Sequence, residues 1–506
     1  MSSTRLSRRM SAEDAWFLYF EKADAPLHIG SVGIFEGHVP FEKLCASMDA
    51  RMHLIPRYRQ RAVIPPLYAG HPTWEDDPEF RIERHLRHVQ LPAPGTREQL
   101  LELSGELFAP MLPQDRPLWD ITLIHGIEGD RTGFLSRVHH CLVDGVSGIE
   151  LLLAVLDLTP DPEPTPPPAE PWQPKPPPGP LEAWTDAVLD QIDRNVRAWG
   201  EWQTDLLDAR AQMRRMNDLS RAMQIALPLA MRQPQKAIWN RPISGKRRAT
   251  WTEMSFKEVR GIRSALGGTV NDVMLTLLGG ALGSYLRAHG VNTNGVTVRM
   301  QIPVNVRSAD QKGALGNRVS MMLPSVPVGI IDPAERLTAV RAEMERLKSS
   351  DQANAFDALA ELFENIPAAY HALAGMNGVP QGAINLVCTN VPGPLIPLYS
   401  VGHRMLAHYP MVPLAADLGL GAGITSYDKA LYVGIMSDPD IVGDVDRIGE
   451  FIHAEFRALR EAAGVAVSEV TDIDIGLRSQ VASPNGHATN GAAPKPAAAT
   501  RASARS

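Results

Sequence analysis

Two adjacent histidines, His139 and His140, are followed by Asp144 and Gly145. An imidazole has an unperturbed pKa of about 6.5, so near neutral pH it can accept a proton as a general base and return it as a general acid. A carboxylate at Asp144 can hold an imidazole in one tautomer, or it can pair with an arginine and orient the loop. The spacing leaves both roles open. We take these four residues as candidate catalytic residues.

Two alternative roles for the histidine pair compete with catalysis. A histidine at the end of a strand is most often a structural residue whose polar atoms are satisfied. Histidine and aspartate also bind metals, but adjacent residues of a strand point to opposite faces, and no further His or Cys cluster lies nearby in the sequence. We therefore expect no metal site here.

A hairpin and a helix are predicted to position the histidines. Trp119 to Ile127 and Thr132 to His139 are apolar runs of strand length, and the turn-type residues 128–131 separate them. After Gly145, apolar residues recur at helical spacing from Ile149 to Leu156. Because strand residues alternate between faces, His139 and His140 are expected to have different surroundings.

Composition is typical of a globular enzyme in a reducing compartment. The chain has 506 residues, of which 44% are hydrophobic and 21% charged, enough for two substantial cores. Three scattered cysteines do not make a disulfide framework. The net charge of −7 and the lack of a basic patch with interleaved aromatics argue against nucleic acid as a partner.

The histidine run resembles the active-site motif of the coenzyme-A-dependent acyltransferase superfamily, which includes chloramphenicol acetyltransferase, carnitine acyltransferases and the condensation domains of peptide synthetases. Further segments resemble, in order, the bacterial wax ester synthase/diacylglycerol acyltransferase family. These segments are Met10–Leu18 with Leu27–Gly30, Arg116–Trp119, Asn271–Val273, Ile302–Arg307, Gly316–Arg318 and Cys388–Pro394. The resemblance extends over nearly the whole chain up to about Asp438.

The resemblance implies an α/β fold of two chloramphenicol-acetyltransferase-like halves, each a mixed sheet flanked by helices, with the active site at their interface. It implies that His140 is the general base, that acyl-coenzyme A is the acyl donor, and that no cofactor takes part. It also implies that Asp144 pairs with an arginine, for which Arg57, Arg59 and Arg307 are the candidates.

Two further residues near the predicted site have alternative roles. Asn271 can donate a hydrogen bond to the oxyanion of the reaction, or it can be the N-cap of the helix that follows, since asparagine favours that position. Cys141 adjoins His140, which raises the possibility of a Cys–His nucleophile. Neighbouring residues of an extended chain point apart, so we expect no such nucleophile.

Changes in composition divide the chain into five predicted segments. They are an N-terminal acyltransferase half (1–156), a proline-rich linker (157–180), a helical connector (181–240), a C-terminal acyltransferase half (241–478) and a disordered tail (479–506). The prolines of the linker exclude a helix or a sheet interior, and the tail has almost no large apolar residue. The C-terminal half is predicted to alternate strands and helices, as in mixed α/β folds.

The connector carries an apolar stripe of helical spacing from Leu181 to Leu206, with arginines among and after it. Such a stripe either packs on a core or lies on a membrane surface, and packing is the favoured interpretation. The best apolar run, Val273 to Leu286, is interrupted by glycines and is shorter than the roughly 18 residues of a membrane span. We therefore expect a cytoplasmic protein that visits a membrane or a lipid droplet as a peripheral protein.

The sequence does not fix the acyl acceptor. We favour diacylglycerol, which gives triacylglycerol, with long-chain alcohols as second acceptors that give wax esters. A protein that is mainly a wax ester synthase, a non-catalytic lipid-binding protein of the same fold, and a condensation-type enzyme that uses a carrier-protein thioester are the alternatives. An intact His140, Asp144 and Gly145 argue against a non-catalytic protein, and no carrier module adjoins the two halves.

Overall fold

The structure is a computed structural model of the chain. It describes residues 8–142, 154–206, 233–305, 319–350, 366–377 and 382–468. Between these ranges it also describes residues 152, 213, 216, 217, 220, 221, 223–225, 352, 355, 356 and 364. Asp144, Gly145, Arg307 and the predicted tail 479–506 lie outside the described residues.

The first sheet has six strands, which in spatial order are β12 (Tyr399–Ser400), β13 (His403–Met411), β1, β6, β5 and β4. The four strands from the N-terminal half are β1 (His28–Glu36), β4 (Leu86–Gln90), β5 (Trp119–Ile127) and β6 (Arg131–His139). β5 and β6 form the predicted hairpin, and β1 pairs antiparallel with β6 along its whole length. A separate two-stranded ribbon joins β2 (Gln60–Val63) and β3 (Thr73–Asp76).

Three helices accompany this sheet: α1 (Ala12–Phe20), α2 (Phe41–Arg51) and α3 (Arg97–Phe108). Ser11 caps α1 by accepting a hydrogen bond from the Asp14 backbone, and Thr96 with Gln99 forms a capping box on α3. Phe108 at the end of α3 packs under the sheet, where it contacts His28. α1 packs against the short 3₁₀ turn that follows β6, which places it beside the histidine pair.

The second sheet has seven strands, with β10-β8-β11-β14-β15-β7 in order and β9 beside β8. Its strands are β7 (Arg248–Ser255), β8 (Thr297–Asn305), β9 (Val319–Met322), β10 (Ser325–Pro327), β11 (Leu386–Val391), β14 (Leu420–Tyr427) and β15 (Ala430–Ser437). β11 is parallel to both of its neighbours, and β14, β15 and β7 form antiparallel pairs. The sheet is mixed, as the sequence predicts.

The helices of the C-terminal half are α5 (Phe256–Leu266), α6 (Val270–Ala288), α7 (Pro333–Ser349), α8 (Ala368–Asn377) and α9 (Asp446–Ala462). α6 is buried along almost its whole length. Its Gly283 allows a close approach, because a β-carbon there would lie 2.1 Å from the Val328 carbonyl oxygen. The glycines that interrupt this apolar run thus serve packing inside the second half.

The two halves share a sheet. Strands β12 (Tyr399–Ser400) and β13 (His403–Met411) belong to the C-terminal half by sequence, yet β13 pairs antiparallel with β1 of the first sheet. The Tyr409 ring of β13 stacks on Trp251 of β7 with centroids 4.7 Å apart. The architecture is therefore mixed α/β with two joined lobes. The division of the chain into five segments stays a prediction. The pairing of β13 with β1 links the two predicted halves.

The proline-rich linker runs over the first half without helix or strand. Its Trp172 ring lies 4.5 Å from the Arg59 guanidinium, and the Lys175 backbone donates to the Asp76 carboxylate at 3.0 Å. The linker leads into α4 (Pro180–Leu206). Among the helices that the structure describes, none alone has the length and apolar composition of a membrane span. Helices α5 and α6 have the length and apolar composition of a span only when they are taken together, and a bend of 98° separates them.

Candidate active site

The backbones of the two histidines are fixed by neighbours on both sides. β6 ends at His139, whose N–H donates to the Leu118 carbonyl at 2.9 Å. His140 starts a 3₁₀ turn, and its N–H donates to the Leu27 carbonyl at 3.0 Å. Because the strand ends between them, the two side chains enter different surroundings.

The His139 ring is fully buried between Cys141 and Glu21. Its Nδ1 lies 3.2 Å from the Cys141 backbone nitrogen, which donates to it, and 2.9 Å from the Cys141 Sγ. Since Nδ1 accepts from a backbone N–H, the ring proton lies on Nε2. Nε2 is 3.4 Å from a Glu21 carboxylate oxygen, an ion-pair distance longer than a good hydrogen bond. Both ring nitrogens thus face protein groups, Nδ1 through a hydrogen bond and Nε2 without one, and His139 is closed off from substrate.

Glu21 is a buried carboxylate held by several donors. It accepts from the Leu27 N–H at 3.0 Å and from the Gln114 side chain at 3.1 Å, in addition to its contact with His139. Burial raises the pKa of Glu21, but the donors outweigh burial, so its pKa lies below the ordinary value. The carboxylate stays ionised and fixes the end of β6 to the end of α1.

The His140 ring is half-buried and stacks on Phe17 of α1, with centroids 3.9 Å apart and planes 9° from parallel. Burial, together with the neighbouring His139, lowers the pKa of His140 to about 4. No side chain among the described residues forms a hydrogen bond with the ring. His140 is therefore a neutral imidazole at pH 7, the form that a general base requires.

Cys141 contacts His139 rather than its neighbour His140. In the 3₁₀ turn that follows β6, the Cys141 thiol lies 2.9 Å from the His139 Nδ1. Cys141 is fully buried, and burial raises its pKa well above the ordinary value. A reactive cysteine needs a lowered pKa and access. Burial of Cys141 and its contact with His139 instead of His140 thus support the expectation that Cys141 is not the nucleophile.

The structure separates two of the three candidate arginines. Arg59 stacks on Trp172 of the linker, on the side of the linker path. Arg57 lies over the Trp74 ring at 4.7 Å and donates to Gln60 at 2.9 Å. Burial lowers the pKa of Arg57 to about 10, and the nearby Asp14 and Cys141 raise it only in part. Arg57 is thus near the turn after His140, and Arg307 is outside the described residues.

Asn271 lies in the first turn of α6 but is not its N-cap. The N-cap is Thr269, which forms a capping box with Asp272, so the N-cap interpretation of Asn271 was wrong. The Asn271 Oδ1 accepts a hydrogen bond from Asn390 of β11 at 3.0 Å. The two N–H bonds of the Asn271 amide therefore remain available, and they donate to no acceptor among the described residues.

Sequence reasoning missed Phe17 and Glu21 as neighbours of the histidines. Both lie in or next to α1, more than a hundred residues before the motif. The one available signal was the family-like segment Met10–Leu18, which we used only as a marker of resemblance. No local pattern relates a phenylalanine in α1 to an imidazole at the end of β6.

Solved structures with this architecture include acyl-transfer and condensation folds. A wax ester synthase/diacylglycerol acyltransferase from Marinobacter aquaeolei VT8 superposes with a TM-score of 0.64 and 23% identity, covering 91% of this chain and 100% of the other. The first condensation domain of the calcium-dependent antibiotic synthetase gives a TM-score of 0.54 and 18% identity, covering 92% and 98%. The predicted fold class, a two-lobed α/β acyltransferase-like fold, is confirmed.

Family models match most of the chain. The wax ester synthase/diacylglycerol acyltransferase catalytic domain matches residues 10–274, and the C-terminal domain of the same family matches residues 315–460. A Mycobacterium tuberculosis (strain H37Rv) protein named probable diacylglycerol O-acyltransferase tgs1 is 30% identical over 453 residues, 87% of this chain and 93% of the relative. A putative diacylglycerol O-acyltransferase of strain CDC 1551 is 30% identical over 468 residues, 90% of each chain. The chain belongs to the wax ester synthase/diacylglycerol acyltransferase family, as its motifs predict, and is an acyltransferase.

Proposed function

We propose that this protein transfers a long-chain acyl group from acyl-coenzyme A to the hydroxyl of diacylglycerol, with His140 as the general base. The observation that carries the proposal is the contrast at the end of β6. His140 is a partly buried residue whose neutral ring has no hydrogen bond with a described side chain, whereas His139 is fully buried with both nitrogens facing protein groups. This contrast supports His140 as the histidine that meets the substrate.

The reaction is a direct transfer. A ring nitrogen of His140 takes the proton of the acceptor hydroxyl as its oxygen attacks the thioester carbonyl. The C–O bond forms, the tetrahedral oxyanion collapses, and the C–S bond breaks. The coenzyme A thiolate then takes the proton from the imidazolium, so the products are an ester and free coenzyme A. No covalent acyl-enzyme forms, in agreement with the buried thiol of Cys141.

Asn271 is proposed to donate to the oxyanion. Its amide orientation is set by Asn390, which donates to the Asn271 oxygen and leaves the Asn271 NH₂ group to point elsewhere. Preorganised donors of this kind contribute about 3 kcal/mol where they have been removed by substitution.

Asp144 is proposed to hold the loop after His140 by pairing with Arg57, and Gly145 to let that loop turn. Arg57 is the candidate near Cys141, three residues before Asp144, while Arg59 stacks on the linker. Removing one partner of a buried ion pair strands the other charge and costs about 3 to 5 kcal/mol. We expect Asp144→Ala and Arg57→Ala to lower the yield of folded protein, and the double variant to be no worse than either single variant. Additive losses in urea unfolding would exclude the pair.

The substrates are proposed from the relatives. Proteins 30% identical to this chain are named diacylglycerol O-acyltransferases. A starter condensation domain of rhizomide synthetase, with a TM-score of 0.52, is described in complex with C8-CoA, which supports a thioester of coenzyme A as donor. The name of the Marinobacter enzyme supports long-chain alcohols as second acceptors. Since these acceptors are lipids, we propose that the protein works in the cytoplasm at a membrane or lipid-droplet surface.

The test supplies purified protein with labelled palmitoyl-coenzyme A and either dioleoylglycerol, hexadecanol or no acceptor. We expect labelled triacylglycerol as the main product, a smaller amount of wax ester, and neither product from His140→Ala. Ester formation by His140→Ala would overturn the assignment of the base. Transfer to hexadecanol alone would overturn diacylglycerol as the acceptor, and transfer to neither would overturn the function.

A further inference from the structure

Helix α4 is attached to the body by its polar side. Arg8 and Arg9, from the segment before α1, form ion pairs with Asp186 at 3.3 Å and with Asp190 at 2.6 Å. Ala187, between these two acids, is fully buried, and it lies so close to Gly70 that a β-carbon on Gly70 would be 3.1 Å from the Ala187 β-carbon. The side of α4 that faces the protein is thus acidic and small.

The apolar stripe of α4 points the other way. Large apolar residues that are 52% to 75% exposed lie along it: Leu181, Leu189, Ile192, Val196 and Trp199. With 3.6 residues per turn, or about 100° per residue, most of this set lies on the side of the helix opposite Ala187. An ordinary surface helix buries its apolar stripe and exposes its polar side. α4 does the reverse, so the favoured prediction that the stripe packs on a core was wrong.

Exposed apolar side chains also lie on two elements next to α4. α4 and α8 both pack against the 3₁₀ turn Pro66–Tyr68, and α8 packs on α1. Leu67 in that turn is exposed, as are Tyr370 and Met376 on α8. We call the stripe of α4 together with these three residues the apolar face. Monomeric proteins rarely leave a large cluster of apolar side chains in water unless it binds a partner or a membrane.

The apolar face lies next to the proposed base. Phe17 of α1 stacks on His140, and the adjacent Trp16 is 40% exposed. The Trp16 indole donates to His371 of α8 at 3.0 Å, so α1 connects His140 directly with the helix that carries part of the apolar face. A molecule held at this face is separated from His140 by a single helix.

We propose that the apolar face docks on a neutral lipid surface and that the lipid acceptor reaches His140 from that side, past α1. The proposal rests on the proposed function for the identity of the lipid, because diacylglycerol resides in bilayers and not in water. Charge selects the kind of surface: apart from Asp186 and Asp190, which pair with Arg8 and Arg9, α4 holds four acids (Glu182, Asp193, Glu201 and Asp205) and two arginines (Arg194 and Arg197). This excess of acids gives no attraction to anionic headgroups. Burial of apolar side chains and of tryptophan at the headgroup level supplies the binding.

The experiment compares two double variants of the full chain. Ile192→Ser with Val196→Ser changes the apolar face, and Ile331→Ser with Val467→Ser is the matched control, because those residues are 73% and 64% exposed and lie in the second half. All three proteins are mixed with phosphatidylcholine vesicles that contain dioleoylglycerol, and flotation is measured. We expect wild type and control to float, and the face variant to bind at least tenfold more weakly. Equal flotation of the two variants would overturn the proposal.

Three further measurements distinguish docking on a neutral bilayer from attraction to anionic lipid, from dimerisation and from misfolding. Adding phosphatidylglycerol to the vesicles should leave flotation unchanged or weaken it, and a tenfold increase would contradict a neutral surface. Size-exclusion chromatography with light scattering tests whether a second copy covers the face; a wild-type dimer that the face variant splits would overturn docking. Thermal melting should be the same for both variants, since the changed residues are exposed.

Activity then links the surface to the reaction. The ratio of turnover with vesicle-borne dioleoylglycerol to turnover with a soluble short-chain alcohol should fall at least fivefold in the face variant and stay constant in the control. A constant ratio in both variants would contradict delivery of the acceptor from this face. If flotation differs as expected but no acceptor is acylated by any of the proteins, the docking surface stands and the proposed function fails.

Discussion

His139 and His140 are separated by one peptide bond and yet occupy opposite kinds of environment. His139 sits in a polar cluster closed by Glu21 and Cys141, where both ring nitrogens face protein groups. His140 lies against the aromatic face of Phe17, and it has no hydrogen-bond partner among the described side chains. Identical side chains therefore become a structural anchor and a proposed base because of what surrounds them.

The difference follows from the point where β6 ends. The strand places His139 beside Glu21, just after the end of α1, while His140, in the 3₁₀ turn, stacks on Phe17 within α1. The Cys141 N–H, which donates to Nδ1, fixes one tautomer of His139, and burial keeps His140 neutral. Contacts with Cys141 and Glu21 thus hold His139 in place, and His139 in turn gives the neighbouring His140 a fixed position.

Among these variants, the replacement of His140 should have the largest effect on the rate of acyl transfer. General-base catalysis contributes typically about 10²- to 10⁴-fold, so His140→Ala should reduce kcat by that factor. Its melting temperature should stay near that of wild type, because the ring makes no hydrogen bond with a described side chain. Steady-state acyl transfer and circular dichroism melting measure the two quantities. A variant that loses stability and keeps its rate would reverse the roles of the two histidines.

Replacement of His139 should act on stability. His139→Ala removes the imidazole N–H that faces the buried Glu21 carboxylate, and the loss of a donor to a buried charged group costs about 1 to 3 kcal/mol of the free energy of unfolding. Urea unfolding measures the loss. The matched control adds Glu21→Gln, which removes the charge and should restore part of the stability. An equal loss in the single and double variants would show that the contact with Glu21 is not the cause.

The hairpin, its turn and the position of the histidine pair could be predicted from the sequence, because they depend on local patterns: the apolar runs ending at Ile127 and His139, and the turn between them. The alternation of strands and helices in the C-terminal half could be predicted in the same way. The exchange of β13 into the first sheet could not, since pairing of His403–Met411 with β1 joins residues more than 350 positions apart. The outward stripe of α4 also contradicted the usual rule, because Arg8 and Arg9 bind the acids on its other side.

The site shows the same division between local and distant information. His140 could be proposed as the general base from the motif, whereas the contacts of His139 with Glu21 and Cys141 are visible only in the structure. The choice of Arg57 over Arg59 depends on the path of the linker, where Trp172 stacks on Arg59. No spacing in the sequence predicts which aromatic of a distant linker meets which arginine.

The pH profile sharpens the contrast through the pKa of His140. A base must be neutral to accept a proton, and burial lowers the pKa of His140 to about 4, so kcat/KM should stay nearly constant from pH 7.5 down to about 5.5. An imidazole with the ordinary pKa of about 6.5 would retain only about a tenth of its neutral form at pH 5.5. Phe17→Ala should admit water to the ring, raise the apparent pKa towards 6.5 and lower kcat/KM several-fold, whereas Phe17→Tyr should keep the wild-type profile.

Stability sets the lower limit of that pH range. Burial also lowers the pKa of His28 to about 3 and that of His71 to about 4. Below about pH 6.5 the unfolded chain therefore binds more protons than the folded one, and the free energy of unfolding falls as the pH falls. Circular dichroism at each pH identifies the range in which the protein stays folded, so that a change in kcat/KM there is not caused by unfolding. Identical profiles for wild type and Phe17→Ala within it would show that the stack does not control the base.

Replacement of Cys141 should have the smallest effect and tests whether the closed cluster around His139 takes part in the chemistry. The side chains of Cys141, His139 and Glu21 bring a thiol, an imidazole and a carboxylate into contact, as in enzymes with a cysteine nucleophile. Burial opposes that role, because it raises the pKa of the thiol and closes it to substrate. Cys141→Ala should therefore keep kcat within about threefold of wild type, since a conservative change in a small buried side chain costs little. Intact-protein mass spectrometry after incubation with palmitoyl-coenzyme A alone should show no added acyl group. A large loss of kcat in Cys141→Ala together with an acylated wild-type protein would transfer the chemistry from His140 to its buried neighbours, and the comparison of the two histidines would have to be reversed.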